Sequence, residues 1–472
     1  MIFNSIDFLL FFPTIYAIYL FSNRKAQNIF LLVASYFFYG YWDYRYLSLL
    51  FISTVVDYIA SLGIERNSEN VFKKKLYLTL SILCNLGILG FFKYYNFFIS
   101  SAADALSVLG LHTNPVLLKF ALPLGISFYT FQTMSYSIDV YRGQLKPTKN
   151  FLDFALFVSF FPQLVAGPIE RATRLLPQVL EDRKITMAML KQGGFLVLLG
   201  FFKKIYVADN LSYIIDPVFV AESPSGFQIL TATYAFMFQI YCDFSGYSDI
   251  ARGISKFMGF ELMLNFRQPI LSVNIIEVWK SWHISLTSWL RDYLYIPLGG
   301  NKVSEFRQHI NNIIIFFASG LWHGAAWTYI FWGVYNGILT SLHKIIHPYI
   351  PVLPGDNIKV VYVFKTTVKI VFTASLFGFS GMFFRCQNLE QIFHFLSNIV
   401  FAFGSFDGDM MVKFVRLVLV LLLIEIHQYA NKDEFSIFKL HTSLRVAIYF
   451  VVFYSIIILG NFNKNEFIYF VF

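Results

Sequence analysis

Only 14% of the 472 residues are charged, where a soluble globular protein carries roughly 25%, and 57% are hydrophobic with Phe, Tyr and Trp alone supplying 20%. Such a chain is neither a soluble enzyme nor disordered, collagen-like or coiled-coil. The net charge of +9 sits in short loops between apolar runs, which gives orientation in a membrane rather than affinity for nucleic acid as its meaning.

At about 20 residues per crossing the chain supplies on the order of ten to twelve spans, so it reads as an all-α polytopic membrane protein. No polar stretch is long enough to bury a core of its own, and one membrane domain over residues 1–472 is the expectation. Within it we distinguish N-terminal helices (1–142), a central part (151–345) and C-terminal helices (358–472). Cys84, Cys242 and Cys386 lie in or beside apolar runs without CxxC spacing, so they form neither a disulfide framework nor a metal knuckle.

In chain order, the run Ile2 to Phe21 has no preceding cation and no small-residue cleavage site, and is expected to remain as the first span. Gln27 to Tyr39, Leu47 to Gly63, Leu76 to Ile99 and Val116 to Val140 follow as further spans. Counting the cations at Arg24, Lys73 and Arg142 as cytoplasmic places the N-terminus outside. The alternation then fails: Phe151 to Ala166 is followed by Arg171, Arg174, Arg183, Lys184 and Lys191. Because Phe161-Pro162 and Gly167-Pro168 interrupt any helix, this segment is expected to dip into the membrane and return. Phe195 to Ala208 and Phe227 to Tyr241 lead into the least lipid-like region, residues 243–311. Ile313 to Leu342, Val360 to Phe384, Phe414 to His427 and Val446 to Leu459 complete the count.

The chemistry-bearing residues fall in the central part. Placed at 100° per residue, Trp279 to Tyr293 reads as one helix with an aromatic face of Trp279, Trp282, Leu286, Trp289 and Tyr293. Lys280, His283, Thr287 and Arg291 then share a polar edge, which suits an anionic donor and a proton acceptor, or equally an interfacial helix with Trp anchors. His323 stands as the sole ionisable group of acid or base character in the 30-residue run Ile313 to Leu342, and an ionisable group at that depth is a functional candidate by default. Gly320 and Gly324 flank it as GxxxG, allowing another backbone or a ligand to approach. Asp243 and Asp249, with Arg252 three residues on, are expected to pair locally and support the core. His343 and His347 have the i, i+4 spacing of a metal helix, but without HExxH or a third ligand we expect no metal. GxGxxG, P-loop and GxSxG motifs do not occur.

Six segments in one order resemble the membrane-bound O-acyltransferase family, in particular its bacterial branch containing membrane subunits of alginate and other polysaccharide O-acetyltransferases. They are FPQLVAGPIERA (161–172), FSGYSDIARGISKFMGF (244–260), NFRQPI (265–270), WKSWHISLTSWLRDYLYIPLGGN (279–301), LWHGAAWTYIFWGVYNG (321–337) and the ending NEFIYFVF. The resemblance implies transmembrane helices plus re-entrant or interfacial helices around a funnel or tunnel. It implies His323 as the catalytic histidine and His283 at a second signature position that different branches fill with Asn, Asp or His. It implies no bound cofactor, and a cytoplasmic thioester as acyl donor, either acetyl-CoA or a loaded carrier protein, whose phosphates or pantetheine we assign to Lys280, Arg291, Trp282 and Trp289.

The function expected is passage of acetyl across a bacterial cytoplasmic membrane for O-acetylation of a cell-surface polysaccharide. No segment could grip a polymer outside, and in the family systems that the chain resembles a separate SGNH-type acetyltransferase often finishes the transfer, so the resemblance implies such a partner too. D-alanyl transfer from a carrier protein to teichoic acid is the alternative within the family. From another class, a secondary transporter would use Asp243, Asp249 and His323 as a proton relay, although no inverted halves are visible.

Overall fold

The computed structural model describes residues 1–119, 121–349, 359–462 and 467–468, and among these every regular element is helical. The ending NEFIYFVF lies outside the described residues save for Phe467 and Ile468. The chain forms two compact units, one of residues 1–197 with 250–263 and one of residues 198–249 with 264–472.

In the first unit, Leu47–Arg66, Val71–Leu89 and Ile126–Tyr141 pack together, and Arg24–Asp43 packs on Phe151–Ser159. The continuous helical stretches Arg24–Arg66 and Val71–Val108 are long and apolar enough to cross a membrane, as are Val360–Arg385 and Thr442–Leu459 of the second unit. Capping follows the sequence: Ser5, Asn23 and Asn70 each accept a backbone N–H from the first turn they precede, which satisfies one otherwise orphaned donor. Between helices Leu47–Arg66, Val71–Leu89 and Ile126–Tyr141 the buried Asp57 accepts hydrogen bonds from Ser81, Ser137 and Asn85, a polar tie of the kind that holds apolar helices in register.

One expectation needs correction here. The run Val116 to Val140 is not one span, because helix begins only at Ile126. Pro115 and Pro123 remove donors from the preceding stretch, and Gly125 stands at φ +71°, where an added Cβ would meet the Leu164 carbonyl oxygen at 2.6 Å. The segment expected to dip is broken into Phe151–Ser159 and Phe161–Leu164. Nine helical residues rise about 14 Å, half the thickness of a hydrocarbon core of roughly 30 Å.

In the second unit the long helix Gly226–Phe257 begins, and Glu305–His323 and Trp327–Ile346 form a helical hairpin on which Val360–Arg385 packs. This hairpin replaces the single run Ile313 to Leu342 read from hydropathy. The helix stops at His323 because Gly324 is extended, at φ −160° and ψ 151°, and Ala326 reopens the next helix from the same conformation. Close packing holds the two arms. A Cβ on Gly320 would sit 2.3 Å from the Tyr329 carbonyl oxygen, and one on Gly333 would sit 2.2 Å from that of Phe316. The approach expected at Gly320 and Gly324 is therefore made by the following helix of the same chain, with Gly324 against the Tyr329 ring.

Candidate active site

His323 ends the first arm of the hairpin and is 4% exposed. Aromatic rings enclose it edge to face: Trp322 at 5.0 Å, Trp332 at 5.0 Å and Phe384 at 5.3 Å between centroids. Such T-shaped contacts fix a ring's plane as well as its position. The ring of His283, 1% exposed, lies 6.1 Å away, with Phe244 at 4.6 Å and Trp322 at 5.5 Å. The two histidines singled out in the sequence are thus brought together, 40 residues apart in the chain.

The path to His283 differs from the one expected. Trp279 to Tyr293 is not one helix but Ile275–Ser281, then His283, then Ile284–Leu290, then one π-helical turn over Arg291–Tyr295. His283 itself is left-handed, at φ 43° and ψ 51°, a conformation that costs a side chain roughly 1–2 kcal/mol and that Asn, Asp and His tolerate better than other residues. Those are the residue types expected at this signature position. Gln268, at φ 40°, shares the conformation, and backbone strain of this sort gathers at working sites.

Asn265 holds the corner. Its carbonyl accepts the Ile284 N–H at 2.9 Å, and its Oδ1 accepts both the Ser285 N–H at 3.2 Å and the Ser285 hydroxyl at 2.9 Å. Its amide donates to the Ser248 hydroxyl at 3.2 Å. Position 283 supplies no side-chain cap to the following helix, and Asn265 takes over that function from 18 residues upstream. Local spacing gives no sign that Asn265 and Ser285 hold the corner at His283; the place of Asn265 at the head of NFRQPI is the available signal.

The shared polar edge of Lys280, His283, Thr287 and Arg291 does not survive the break. Lys280 and Arg291 are exposed and His283 is buried, and Arg291 pairs with Asp292 at 2.7 Å. Trp282 and Trp289 are buried packing residues: Trp282 meets Phe266 at 5.2 Å and Phe377 at 5.0 Å, and Trp289 meets Tyr293.

The same compact unit holds a buried ionic cluster. A π-helical stretch, Phe202–Ala208, carries Lys203 and Lys204 inward. Lys203 pairs with Asp249 at 2.9 Å and lies 3.8 Å from Glu425. Lys204 pairs with Asp209 at 2.8 Å and Asp243 at 2.7 Å. The Tyr241 hydroxyl donates to Glu425. Asp243 and Asp249 therefore take lysine partners that the local spacing to Arg252 did not suggest. Arg252 is buried, three residues after Asp249 in the same helix. Among the described residues no group of three or more His, Cys, Asp or Glu is placed to hold a metal.

A small cavity of about 20 Å³ opens beside His323, walled by Met237, Ile240, Trp282, Trp332, Gly381 and Phe384 among others. A family model, that of the membrane-bound O-acyltransferases, matches residues 42–384. The chain is a membrane-bound O-acyltransferase family member. It is 38% identical over 408 residues to the probable alginate O-acetylase AlgI of Pseudomonas aeruginosa, covering 86% of this chain and 76% of that protein. It is 35% identical over 406 residues to a peptidoglycan O-acetyltransferase of Helicobacter pylori, covering 80% and 75%. Similarity to a teichoic acid D-alanyltransferase of Streptococcus thermophilus, 33% over 229 residues, covers 46% of this chain and 55% of that one. This membrane acyltransferase thus carries its paired histidines within the matched region.

Proposed function

We propose that the chain takes an acetyl group from a cytoplasmic thioester and passes it across the membrane for O-acetylation of a cell-surface polysaccharide. The observation that carries this reading is the pairing of His323 and His283, ring centroids 6.1 Å apart in an aromatic enclosure, in a chain whose length-spanning relatives bear the names of O-acetylation proteins. The D-alanyltransferase match covers under half of the chain, which favours acetyl over D-alanyl.

In this reading His323, as neutral imidazole, accepts the proton of the attacking hydroxyl while that oxygen bonds to the thioester carbonyl carbon. Collapse of the tetrahedral intermediate breaks the carbon–sulfur bond, and the leaving thiolate takes the proton back from His323. His283 polarises the carbonyl or orients the donor. We assign the phosphates of acetyl-CoA or of a carrier's phosphopantetheine to the exposed Lys280 and Arg291.

The whole chain acts as a single membrane-bound O-acyltransferase domain in the bacterial cytoplasmic membrane, with its N-terminus outside. An SGNH-type acetyltransferase completes delivery to the polymer. Inverted membrane vesicles test the direction: label supplied as acetyl-CoA to the exposed cytoplasmic face is expected to appear inside, attached to polymer or partner. Label that enters without consumption of thioester would favour a transporter and overturn the acyl-transfer reading. Label that enters only from an acetylated carrier protein would correct the donor.

A further inference from the structure

We propose that Gln428, in a helix beyond the family-matched region, is a positioning residue for acyl transfer that holds the backbone segment clasping His283. This rests on the acyl-transfer reading above and adds to it a residue that sets where the second histidine stands. The helix is Gly408–Asn431, whereas the match to the family model ends at residue 384.

One short segment, residues 265–268, holds His283 from both sides. The Ile284 N–H donates to the Asn265 carbonyl and the Arg267 N–H donates to the Ser281 carbonyl, each at 2.9 Å, so the left-handed corner is gripped before and after the histidine. The Phe266 ring also lies nearly parallel to the imidazole, at 16° and 6.4 Å between centroids. A shift of this segment therefore carries the imidazole with it. The segment is itself strained, because Gln268 stands at φ 40° without being glycine, and such a conformation persists only where the surrounding structure over-determines it.

Helix Gly408–Asn431 supplies that constraint. Gln428 is buried; its Oε1 accepts the Gln268 side-chain amide at 3.2 Å, while its own amide donates to the Glu434 carbonyl at 2.8 Å. With one end of the amide accepting and the other donating, the group cannot turn over, and a side chain needs one donor and one acceptor at this reach to meet both demands. Three residues earlier, on the same side of the helix, Glu425 accepts the Tyr241 hydroxyl. The Tyr241 ring in turn packs edge to face on Phe266 at 5.8 Å. The helix thus reaches the segment twice, through Tyr241 at its middle and through Gln428 at its strained end.

If Gln428 works by holding Gln268 in its left-handed conformation, a residue that adopts that conformation without strain makes Gln428 dispensable. Glycine is that residue. The test follows labelled acetyl, supplied both as acetyl-CoA and as an acetylated carrier protein, in membranes holding the full chain at matched abundance. Gln428→Met keeps the length of the side chain and removes both hydrogen bonds; Gln428→Glu keeps the acceptor toward Gln268 alone; each is made with Gln268 and with Gln268→Gly. We expect Gln428→Met to lower transfer on the order of 100-fold, the loss that a misplacement of about 1 Å carries, with Gln428→Glu between it and the wild type. In the Gln268→Gly background most of that loss should disappear, which a merely structural tie between helices would not show. Should Gln428→Met fail to accumulate, Gln428→Glu in the two backgrounds gives the same comparison. Wild-type transfer by Gln428→Met, equal losses in the two backgrounds, or no transfer by Gln268→Gly alone overturns the proposal, and the acyl-transfer reading stands as long as His323→Ala abolishes transfer. Label that persists in His323→Ala, or no transfer by the wild type from either donor, overturns the reading on which the proposal rests.

Discussion

Replacing Gly320 by alanine tests whether the packing of the helical hairpin is what places His323. A methyl at position 320 would lie 2.3 Å from the Tyr329 carbonyl oxygen, whereas ordinary contact begins at 3.4 Å. Backbone faces that methyl, so no side chain can swing aside, and the two arms must part by about 1 Å at that point. Overpacking of this kind costs about 1–3 kcal/mol, offset by up to about 1 kcal/mol from the better helix propensity of alanine. The larger effect falls on activity. His323 is three residues further along the same arm, and a displacement of about 1 Å in a reacting group is worth on the order of 100-fold in rate. Acetyl transfer per molecule, normalised to abundance, and thermal unfolding in detergent are the two readouts. Gly87→Ala serves as the control, since nothing lies within 4 Å of its added methyl and it should be neutral or stabilising. A Gly320→Ala protein with wild-type turnover and stability would refute the argument that this contact positions the histidine.

Asn265→Ala removes the acceptor that caps the helix after His283 and should cost about 1–3 kcal/mol; transfer should fall further than in a variant of equal stability altered elsewhere, measured side by side. His283→Asn keeps a residue type suited to the left-handed backbone, whereas His283→Val places a β-branched side chain there, and thermal unfolding should rank the valine variant lower by at least about 1 kcal/mol. Equal melting would show that the strain at position 283 is unimportant. Lys203→Met takes the ammonium from between Asp249 and Glu425 and should destabilise by about 3–5 kcal/mol, with Lys203→Met/Asp249→Asn recovering part of the loss in a double-mutant comparison.

The membrane class, the helical fold and both histidines were legible in the sequence, but for different reasons. Composition alone carries the first two. His323 shows because an ionisable side chain in an apolar run is costly, and His283 because the segment around it matches a family signature. Periodicity misled at His283: its aromatic residues keep to the buried side across the break, so the 100° pattern persists although the helix does not. The hairpin turn after His323 hid within an uninterrupted apolar run, where Gly324 was the single sign of a stop. The lysine partners of Asp243 and Asp249 were invisible to local spacing, because Lys203 stands 46 residues before Asp249 and Lys204 stands 39 before Asp243. A pair of adjacent lysines inside an apolar run was the available signal, since two such charges need carboxylates from elsewhere in the fold.

Acyl transfer at His323 is tested by following labelled acetyl from its thioester donor to envelope polymer in membranes holding either the wild type or His323→Ala at equal abundance. If His323 is the base, the variant loses roughly 100- to 10,000-fold in transfer, with the protein still folded by its unfolding temperature. Transfer at the wild-type rate by folded His323→Ala would contradict it.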